Sequence, residues 1–195
     1  MSKTASNKLI LVASPRFGGQ SERLANYLFE SYSSENSADS IVVACISALP
    51  VSNCLGCGSC AEGEGCAIED NMHDWCAMID DADEIMVVSP VYFAGPPAPY
   101  KALLDRLQVY YYNYKMNDNG LAPKRPLTLF VLGDGGDPHG FEPLVVCTRS
   151  AFAIAGFRLG KVFNGVGLYD EKLQDLALNP ENYEYQSASG GTNGE

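Results

Sequence analysis

The chain has 195 residues, of which 46% are hydrophobic and 19% charged, a composition typical of a folded globular protein. Its formal net charge of −11 repels phosphate backbones and anionic lipid surfaces, which argues against nucleic acid or a membrane as partner. The first eight residues lead into an apolar strand without a signal-peptide pattern, and no apolar run approaches membrane-spanning length. The chain has seven cysteines, an odd number, which favours reduced thiols or metal ligands over disulfide bonds. We therefore expect a cytoplasmic protein whose partners are small molecules or other proteins.

Strand and helix patterns alternate from the start of the chain. The apolar run 8–14 predicts a buried strand, and helical spacing after a polar, glycine-containing loop predicts a helix over 22–33. A second apolar run at 41–46 predicts another buried strand. Residues 50–67 are rich in cysteine and glycine and have no periodicity, which predicts a functional loop. A helix over 70–81 follows, with acidic residues at its start.

The second half of the chain continues the alternation. Its hydrophobic pattern predicts, in order, a strand at 84–88, a helix beginning near 97–99, a strand at 127–132, a helix over 142–157 and a strand at 160–168. Residues 110–114 are rich in tyrosine, 173–178 form at most a short last helix, and we expect the Ser/Gly/Asn-rich tail 186–195 to be disordered. The alternation predicts one α/β domain over 1–185, with a doubly wound, five-stranded parallel sheet between two helix layers and a cysteine-rich insertion at about 50–67. In such sheets the ligand site lies at the carboxyl ends of the strands, by the topological switch point.

The loop after the first strand carries groups that suit an anion. Ser14, Arg16, Gln20 and Ser21 place hydroxyls, an amide and a cation between a strand end and a helix amino terminus, and Gly19 keeps the backbone flexible. The three-glycine dinucleotide fingerprint and the Walker lysine are absent, so a mononucleotide phosphate suits this loop better than NAD or ATP. The loop composition is equally compatible with an ordinary strand-to-helix turn.

Two further loops follow predicted strands. After the third strand, Tyr92 and Phe93 could wall a flat ring at the sheet edge, although either could equally be an ordinary core or surface aromatic. After the fourth strand, the glycines of the segment 133–137 allow close approach of the backbone to a ligand, or simply form a turn.

The order of these segments resembles the NAD(P)H-dependent FMN reductase branch of the flavodoxin-like superfamily over roughly residues 8–168. The resemblance is carried by the segments 14–16, 19–21 and 89–92, and by Lys101 with Asp105 and Arg106. It implies a flavodoxin-like sheet of order 2-1-3-4-5, bound FMN, and electron transfer from NAD(P)H to an acceptor. The residues that it implies around FMN are, for the phosphate, Ser14, Arg16, Gly19, Gln20 and Ser21, and, for the ribityl chain and ring, Pro90, Val91, Tyr92, Phe93, Gly133, Asp134, Gly135 and Gly136.

A compact cysteine cluster lies in the aperiodic loop. Cys54, Cys57 and Cys60 are separated by two residues each and Cys66 follows after five, a spacing that lets four thiolates converge on one iron–sulfur cluster. Zinc also accepts four thiolates, but its usual knuckles are two separated C-x-x-C pairs. The spacing resembles that of the iron–sulfur flavoproteins, a branch of the same superfamily, which implies a [4Fe-4S] cluster near FMN and a ferredoxin-type electron donor. The alternative is a vestigial loop with reduced or oxidised thiols.

The remaining chemistry-bearing residues are interpreted as structural. Cys45, Cys76 and Cys147 are expected in the core, Lys101 and Asp105 as a surface ion pair, and neither histidine is given a ligand role. The cysteine loop and the tyrosine stretch are large groups to leave exposed, which predicts a homodimer or homotetramer. Two alternatives to the reductase remain: a flavodoxin-type electron carrier without nicotinamide activity, and a non-enzymatic metal-binding or redox-sensing module.

Overall fold

The structure of the protein is a computed structural model that describes residues 6–35, 38–63, 65–116 and 124–186. The predicted tail therefore falls, apart from its first residue, outside the described residues. Strands and helices alternate in the described chain. The strands are β1 (Asn7–Val12), β2 (Ser40–Cys45), β3 (Glu84–Pro90), β4 (Arg125–Gly133) and β5 (Phe157–Val166). The helices are α1 (Gln20–Glu35), α2 (Met72–Asp81), α3 (Ala98–Arg106), α4 (Gln108–Met116), α5 (Glu142–Ile154) and α6 (Glu171–Leu178), with 3-10 turns at Ser59–Glu62 and Pro180–Tyr183.

The strands form one parallel sheet in the order β2-β1-β3-β4-β5. This confirms the predicted flavodoxin-like α/β fold. The chain moves outward in one direction from β1 to β2 and in the other from β3 to β5, so the switch point lies between β1 and β3. The loops that leave these strands at their carboxyl ends therefore surround a common crevice.

Helices cover both faces of the sheet because alternate strand residues point to opposite sides. Leu9 and Leu11 of β1 belong to a core shared with α2, α3 and α5. Ile10 and Val12 belong to a second core on the other face, shared with α1 and α6. All four side chains are at most 1% exposed, as the unbroken apolar run of β1 predicted.

The edge strands differ from their sequence-based predictions. β2 was expected to be buried, but it lies at the edge of the sheet, and Val42 remains 46% exposed. β5 begins at Phe157, inside the segment predicted as helix, and α5 ends at Ile154. Leu127 pairs with Leu159 and Thr128 with Lys161, so Gly160 is the extra residue of a β-bulge. The predicted start of the strand at Gly160 was wrong because that glycine interrupts the strand rather than preceding it.

Two helices complete the packing. The tyrosine-rich segment forms α4, which was not predicted as a helix, and Tyr110 donates a hydrogen bond to Asp80 at 2.9 Å. The short helix expected near 173–178 is α6, whose Leu173 and Leu176 are fully buried. Of the described residues, no helical stretch is both long and apolar enough to cross a bilayer.

Gly165 of β5 allows α6 to pack closely on the sheet. A Cβ atom at this position would lie 2.6 Å from Leu132 Cδ2, 2.8 Å from Leu176 Cδ2 and 3.1 Å from the carbonyl oxygen of Val131. A Cβ atom here would force both leucine side chains to shift and would crowd the Val131 carbonyl, so the close contact favours glycine.

Candidate functional site

The three predicted loops meet in one open cleft at the carboxyl ends of the strands, with a volume of about 770 Å³. All thirteen residues predicted around FMN line it: Ser14, Arg16, Gly19, Gln20, Ser21, Pro90, Val91, Tyr92, Phe93, Gly133, Asp134, Gly135 and Gly136. They come from the loops after β1, β3 and β4. Their role as FMN ligands remains a prediction.

The loop after β1 runs directly into the amino terminus of α1. The Ser14 hydroxyl is buried and accepts a hydrogen bond from the Arg16 backbone N–H at 3.1 Å, which fixes the start of the turn. Gly18 has φ of 62°, and its N–H donates to the Glu22 carboxylate at 2.7 Å. The helix then begins at Gln20, with Ser21 buried in its first turn. The amino terminus of α1 thus offers donors to an anion, but the Glu22 carboxylate already accepts from the Gly18 N–H just before the helix.

The loop after β3 presents an aromatic ring on a tight turn. Tyr92 and Gly95 exchange two backbone hydrogen bonds of 3.0 Å around Phe93 and Ala94, which have φ of 49° and 63°. Positive φ at both central residues is the pattern of a type I′ turn, which favours asparagine and glycine. Phe93 is fully exposed, and Tyr92 is half-exposed beside it. A bulky residue in this strained conformation is a feature that concentrates at functional sites.

The loop after β4 depends on glycine. A Cβ atom on Gly133 would lie 2.9 Å from Val91 Cγ1, so the loops after β3 and β4 approach too closely for a side chain there. Gly135 and Gly136 have φ near +90°, a region that other residues rarely adopt. The Asp134 carboxylate accepts a 2.6 Å hydrogen bond from the Tyr169 hydroxyl, which raises the pKa of Tyr169. The loop after β4 thus contributes mostly glycine backbone to the cleft wall, together with the Asp134 carboxylate and its partner Tyr169.

The four predicted metal ligands line a second cleft of about 310 Å³ between the cysteine loop, Arg106 and α4. Cys54 and Cys57 are exposed, and Cys60 and Cys66 are half-buried. The loop turns at Gly56, Gly58, Gly63 and Gly65, all of which have positive φ, so its path depends on glycine as expected. Burial raises the pKa of the Cys60 thiol, and the neighbouring thiols raise it further.

The four thiols share this cleft without converging on a point. In residues 6–35, 38–63, 65–116 and 124–186, no three His, Cys, Asp or Glu side chains are placed to hold a metal ion. A cluster would therefore require the loop to bring its thiols closer together.

Arg106, the last residue of α3, joins the cysteine loop to that helix. Its side chain is 1% exposed and makes a two-pronged ion pair with Asp70, at 3.0 Å from Nη1 and 3.1 Å from Nη2. The same nitrogens donate to the carbonyl oxygens of Ser52 and Ile68. Burial acts to raise the pKa of Asp70, but the hydrogen bonds from Arg106 and from the Ser52 and Met72 N–H groups outweigh it and hold the pKa below its usual value. One buried cation thus holds both ends of the loop.

The residues interpreted as structural are placed largely as expected. Lys101 and Asp105 form a partly exposed ion pair of 2.6 Å along α3. Cys45, Cys76 and Cys147 pack against the two cores but are only half-buried, so the expectation of buried core residues was too strong.

A family model described as NADPH-dependent FMN reductase matches residues 7–157, which is more than half of the chain. The chain belongs to this family. The match covers β1 to the start of β5, and so includes the smaller cleft and the three predicted loops of the larger one.

Curated relatives of this reductase family member include iron–sulfur flavoproteins. One from Archaeoglobus fulgidus is 30% identical over 101 residues, which cover 51% of this chain and 44% of that protein. One from Methanosarcina thermophila is 36% identical over 93 residues, covering 48% of each. The matched segment thus spans about half the length of these relatives.

Solved structures share the fold over most of the chain. An FMN-dependent NADH-azoreductase from Bacillus anthracis, solved in complex with FMN, has a TM-score of 0.64 at 15% identity and covers 89% of this chain and 95% of its own. An NAD(P)H:quinone oxidoreductase from Methanothermobacter marburgensis has a TM-score of 0.61 at 14% identity and covers 90% of this chain and 94% of its own. At these identities the likeness establishes the fold alone.

The sequence analysis did not identify every residue that lines the larger cleft. The wall also includes Arg23, Phe141, Asn164, Val166 and Tyr169. Asn164 and Val166 lie at the carboxyl end of β5, and Tyr169 follows it, so the rule that ligands bind beyond the strand ends could have found them. Arg23 forms an exposed ion pair with Asp170 at 3.3 Å, a contact 147 residues apart that no local pattern shows.

Proposed function

We propose that the protein is an oxidoreductase that binds FMN in the larger cleft and a [4Fe-4S] cluster at the four loop cysteines. It moves electrons from NAD(P)H, or from a ferredoxin-type donor through the cluster, to an acceptor that awaits identification. The observation that carries the proposal is that all thirteen residues expected around FMN, from three loops, line one cleft. Family membership and the iron–sulfur flavoprotein relatives support it.

The cleft matches the parts of FMN. Its volume of about 770 Å³ lies in the range of small-molecule sites, which is about 300–1,000 Å³. The amino terminus of α1, the buried Ser21 and the Arg16 cation suit a phosphate. Tyr92 and Phe93 suit a flat ring, and the glycines of the loop after β4 let its backbone approach a ligand closely.

The donor set of the smaller cleft suits an iron–sulfur cluster more than zinc. Four thiols with gaps of two, two and five residues line it, which is the compact spacing of cluster ligands. The positive-φ glycines between them permit turns that would bring the thiolates together.

When bound, FMN supplies the redox chemistry, exchanging hydride or single electrons with donor and acceptor. The residues of the chain bind and orient it. The turn that carries Phe93 is held at both sides, because Tyr92 and Gly95 are paired and the Ala94 carbonyl accepts from the Leu144 N–H of α5 at 3.1 Å. This fixes the aromatic wall against which a ring would lie, while the open side of the cleft leaves room for a nicotinamide or another donor.

Glu22→Gln is expected to tighten FMN binding by about two- to fivefold, because it removes a negative charge worth about 0.3–1 kcal/mol beside the phosphate site. The Glu22 carboxylate accepts the Gly18 N–H at 2.7 Å, so it competes with a phosphate for that donor. The measurement is the dissociation constant of FMN, from flavin fluorescence titration of apoprotein.

Two controls show whether the effect of Glu22→Gln acts through the FMN phosphate. Riboflavin lacks it, so its affinity should not respond to the substitution at Glu22. Glu171→Gln removes an exposed carboxylate from the first turn of α6 and should leave FMN binding unchanged. Weaker FMN binding in Glu22→Gln would contradict the competition and would mean that Glu22 orders the loop for the phosphate.

The proposed function is tested by anaerobic purification, followed by the visible spectrum, iron and sulfide analysis and addition of NADPH or NADH. We expect one flavin and about four irons per chain, and bleaching of the flavin by the nicotinamide. Flavin that is not bleached would favour an electron carrier or a ferredoxin-type donor. Metal without flavin would favour a metal-binding or redox-sensing module and would overturn the proposal.

We further propose a homodimer or homotetramer. Leu55 in the cysteine loop is 71% exposed, and Tyr114 of α4 is 42% exposed, so a partner subunit would cover apolar surface beside the smaller cleft. Light scattering of the purified protein decides this, and a monomer would contradict it.

A further inference from the structure

Arg106 has a buried donor that its contacts leave unused. Nη1 and Nη2 are engaged by Asp70, Ser52 and Ile68, at 3.0 to 3.3 Å. The remaining nitrogen, Nε, is the only buried side-chain nitrogen or oxygen without a partner in the part of the chain that the structure describes. Buried polar groups are nearly always paired, so this N–H needs an acceptor that the folded chain does not provide.

The available acceptor is sulfur. Arg106 lines the smaller cleft together with Cys54, Cys57, Cys60 and Cys66. Burial acts to lower the pKa of Arg106, but hydrogen bonds of the guanidinium to Asp70 and Cys66 and the nearby Cys66 charge raise it. Cys66 therefore lies beside the guanidinium, although Nε itself has no partner. Arginine provides a rigid fork, so the two nitrogens that hold Asp70 also fix the direction of Nε.

We propose that Arg106 is a positioning residue of the cluster site, whose Nε–H donates a hydrogen bond to the Cys66 sulfur and raises the reduction potential of the cluster. The inference rests on the proposed cluster. Reduction adds one electron, and hence negative charge, to the iron and sulfur atoms, so a hydrogen bond to a ligand sulfur favours the reduced state. Because Asp70 neutralises the guanidinium charge, the hydrogen bond contributes more than the charge does.

Two substitutions separate this role from simple support of the loop. Arg106→Lys keeps the positive charge but lacks the fork, so it cannot hold Asp70 with two nitrogens and also donate to Cys66. Asp70→Asn removes the neutralising carboxylate and keeps one oxygen that accepts a hydrogen bond from the guanidinium. The first variant should lower the reduction potential and the second should raise it. The fall in Arg106→Lys reports the lost donor, because the charge is kept, whereas the rise in Asp70→Asn reports the unmasked charge. A residue that only supports the loop would leave the potential of Arg106→Lys unchanged.

The test is a potentiometric titration of the anaerobic holoprotein with dithionite as the electron donor, followed by the electron paramagnetic resonance signal of the cluster. At the wild-type midpoint, Arg106→Lys is expected to raise the ratio of oxidised to reduced cluster by at least about tenfold, which is 59 mV for a one-electron couple. Asp70→Asn is expected to lower this ratio. Arg149→Lys, an exposed arginine of α5, is the matched control and should not change it.

The iron content distinguishes a failure of the proposed cluster from a failure of the inference about Arg106. Wild-type protein without iron would overturn the proposed cluster, and this inference with it. Variants that keep wild-type iron and an unchanged midpoint would overturn the inference alone. If Arg106→Lys loses the cluster or does not fold, the wild-type holoprotein labelled with 15N-arginine decides. A 15N coupling in the pulsed electron paramagnetic resonance of the reduced cluster supports the hydrogen bond, and its absence contradicts it.

Discussion

Gly165→Ala is expected to lower the free energy of unfolding by about 1–3 kcal/mol, the usual cost of overpacking a core. The added methyl group would lie 2.6 Å from Leu132 Cδ2 and 2.8 Å from Leu176 Cδ2, and both leucines are buried. Moving the leucine tips is not sufficient, because the Val131 carbonyl oxygen would lie 3.1 Å away and belongs to the neighbouring strand. Urea denaturation followed by circular dichroism measures the effect, and each kcal/mol corresponds to about 2–4 °C in melting temperature.

The same strand provides a matched control. Gly160 lies in the bulge of β5, and a Cβ atom there would meet nothing within 4 Å. Gly160→Ala should therefore be neutral or slightly stabilising, because alanine restricts the unfolded chain more than glycine does. Equal losses in the two variants would show that backbone freedom, and not contact with Leu132 and Leu176, determines the need for glycine in β5.

Cys57→Ala is expected to reduce iron from about four atoms per chain to below one, because a four-thiolate site that loses a ligand retains its cluster poorly. Cys57 is exposed, so removing its thiol should itself change stability by no more than about 0.5 kcal/mol. Loss of iron would then reflect ligation and not misfolding. Iron and acid-labile sulfide analysis after anaerobic purification measures the outcome.

A cysteine outside the loop is the control for Cys57→Ala. Cys147 is half-buried on α5, packs against a core and does not line the smaller cleft, so Cys147→Ala should retain wild-type iron. Full iron in Cys57→Ala would exclude this residue as a ligand. Zinc without sulfide in the wild-type protein would mean that the thiols hold a different metal.

The sequence predicted the parallel sheet and the loops of the larger cleft because both depend on local patterns, whereas the strand order came from the family resemblance. Apolar runs such as 8–14 mark buried strands, and the loops after them must meet at one edge of a parallel sheet. The predictions failed where tertiary contacts override local ones. α4 was missed because tyrosines replace the aliphatic periodicity of a helix, although Tyr110 anchors the segment to Asp80. The start of β5 was misplaced because a glycine inside a strand is indistinguishable in sequence from one before it.

The contacts of Arg106 could not be predicted from the sequence because they join distant segments of the chain. Its partner Asp70 lies 36 residues away, and the segment between them includes all of α2 and β3. In the sequence, Asp105 and Arg106 form part of a family motif, and the only contact that spacing indicates is the pair of Lys101 with Asp105. The unpaired Nε appears only once the fold brings α3 against the cysteine loop.

The turn that carries Phe93 has a consequence for the engineering of this protein. Non-glycine residues held at positive φ cost about 1–3 kcal/mol each, and Phe93 and Ala94 occupy consecutive positions of this kind. Asparagine and glycine would adopt the same turn with less strain. Directed evolution for heat resistance alone should therefore replace these two residues early and remove the exposed ring of Phe93. If that ring holds FMN as proposed, the most heat-resistant variants will bind flavin least well.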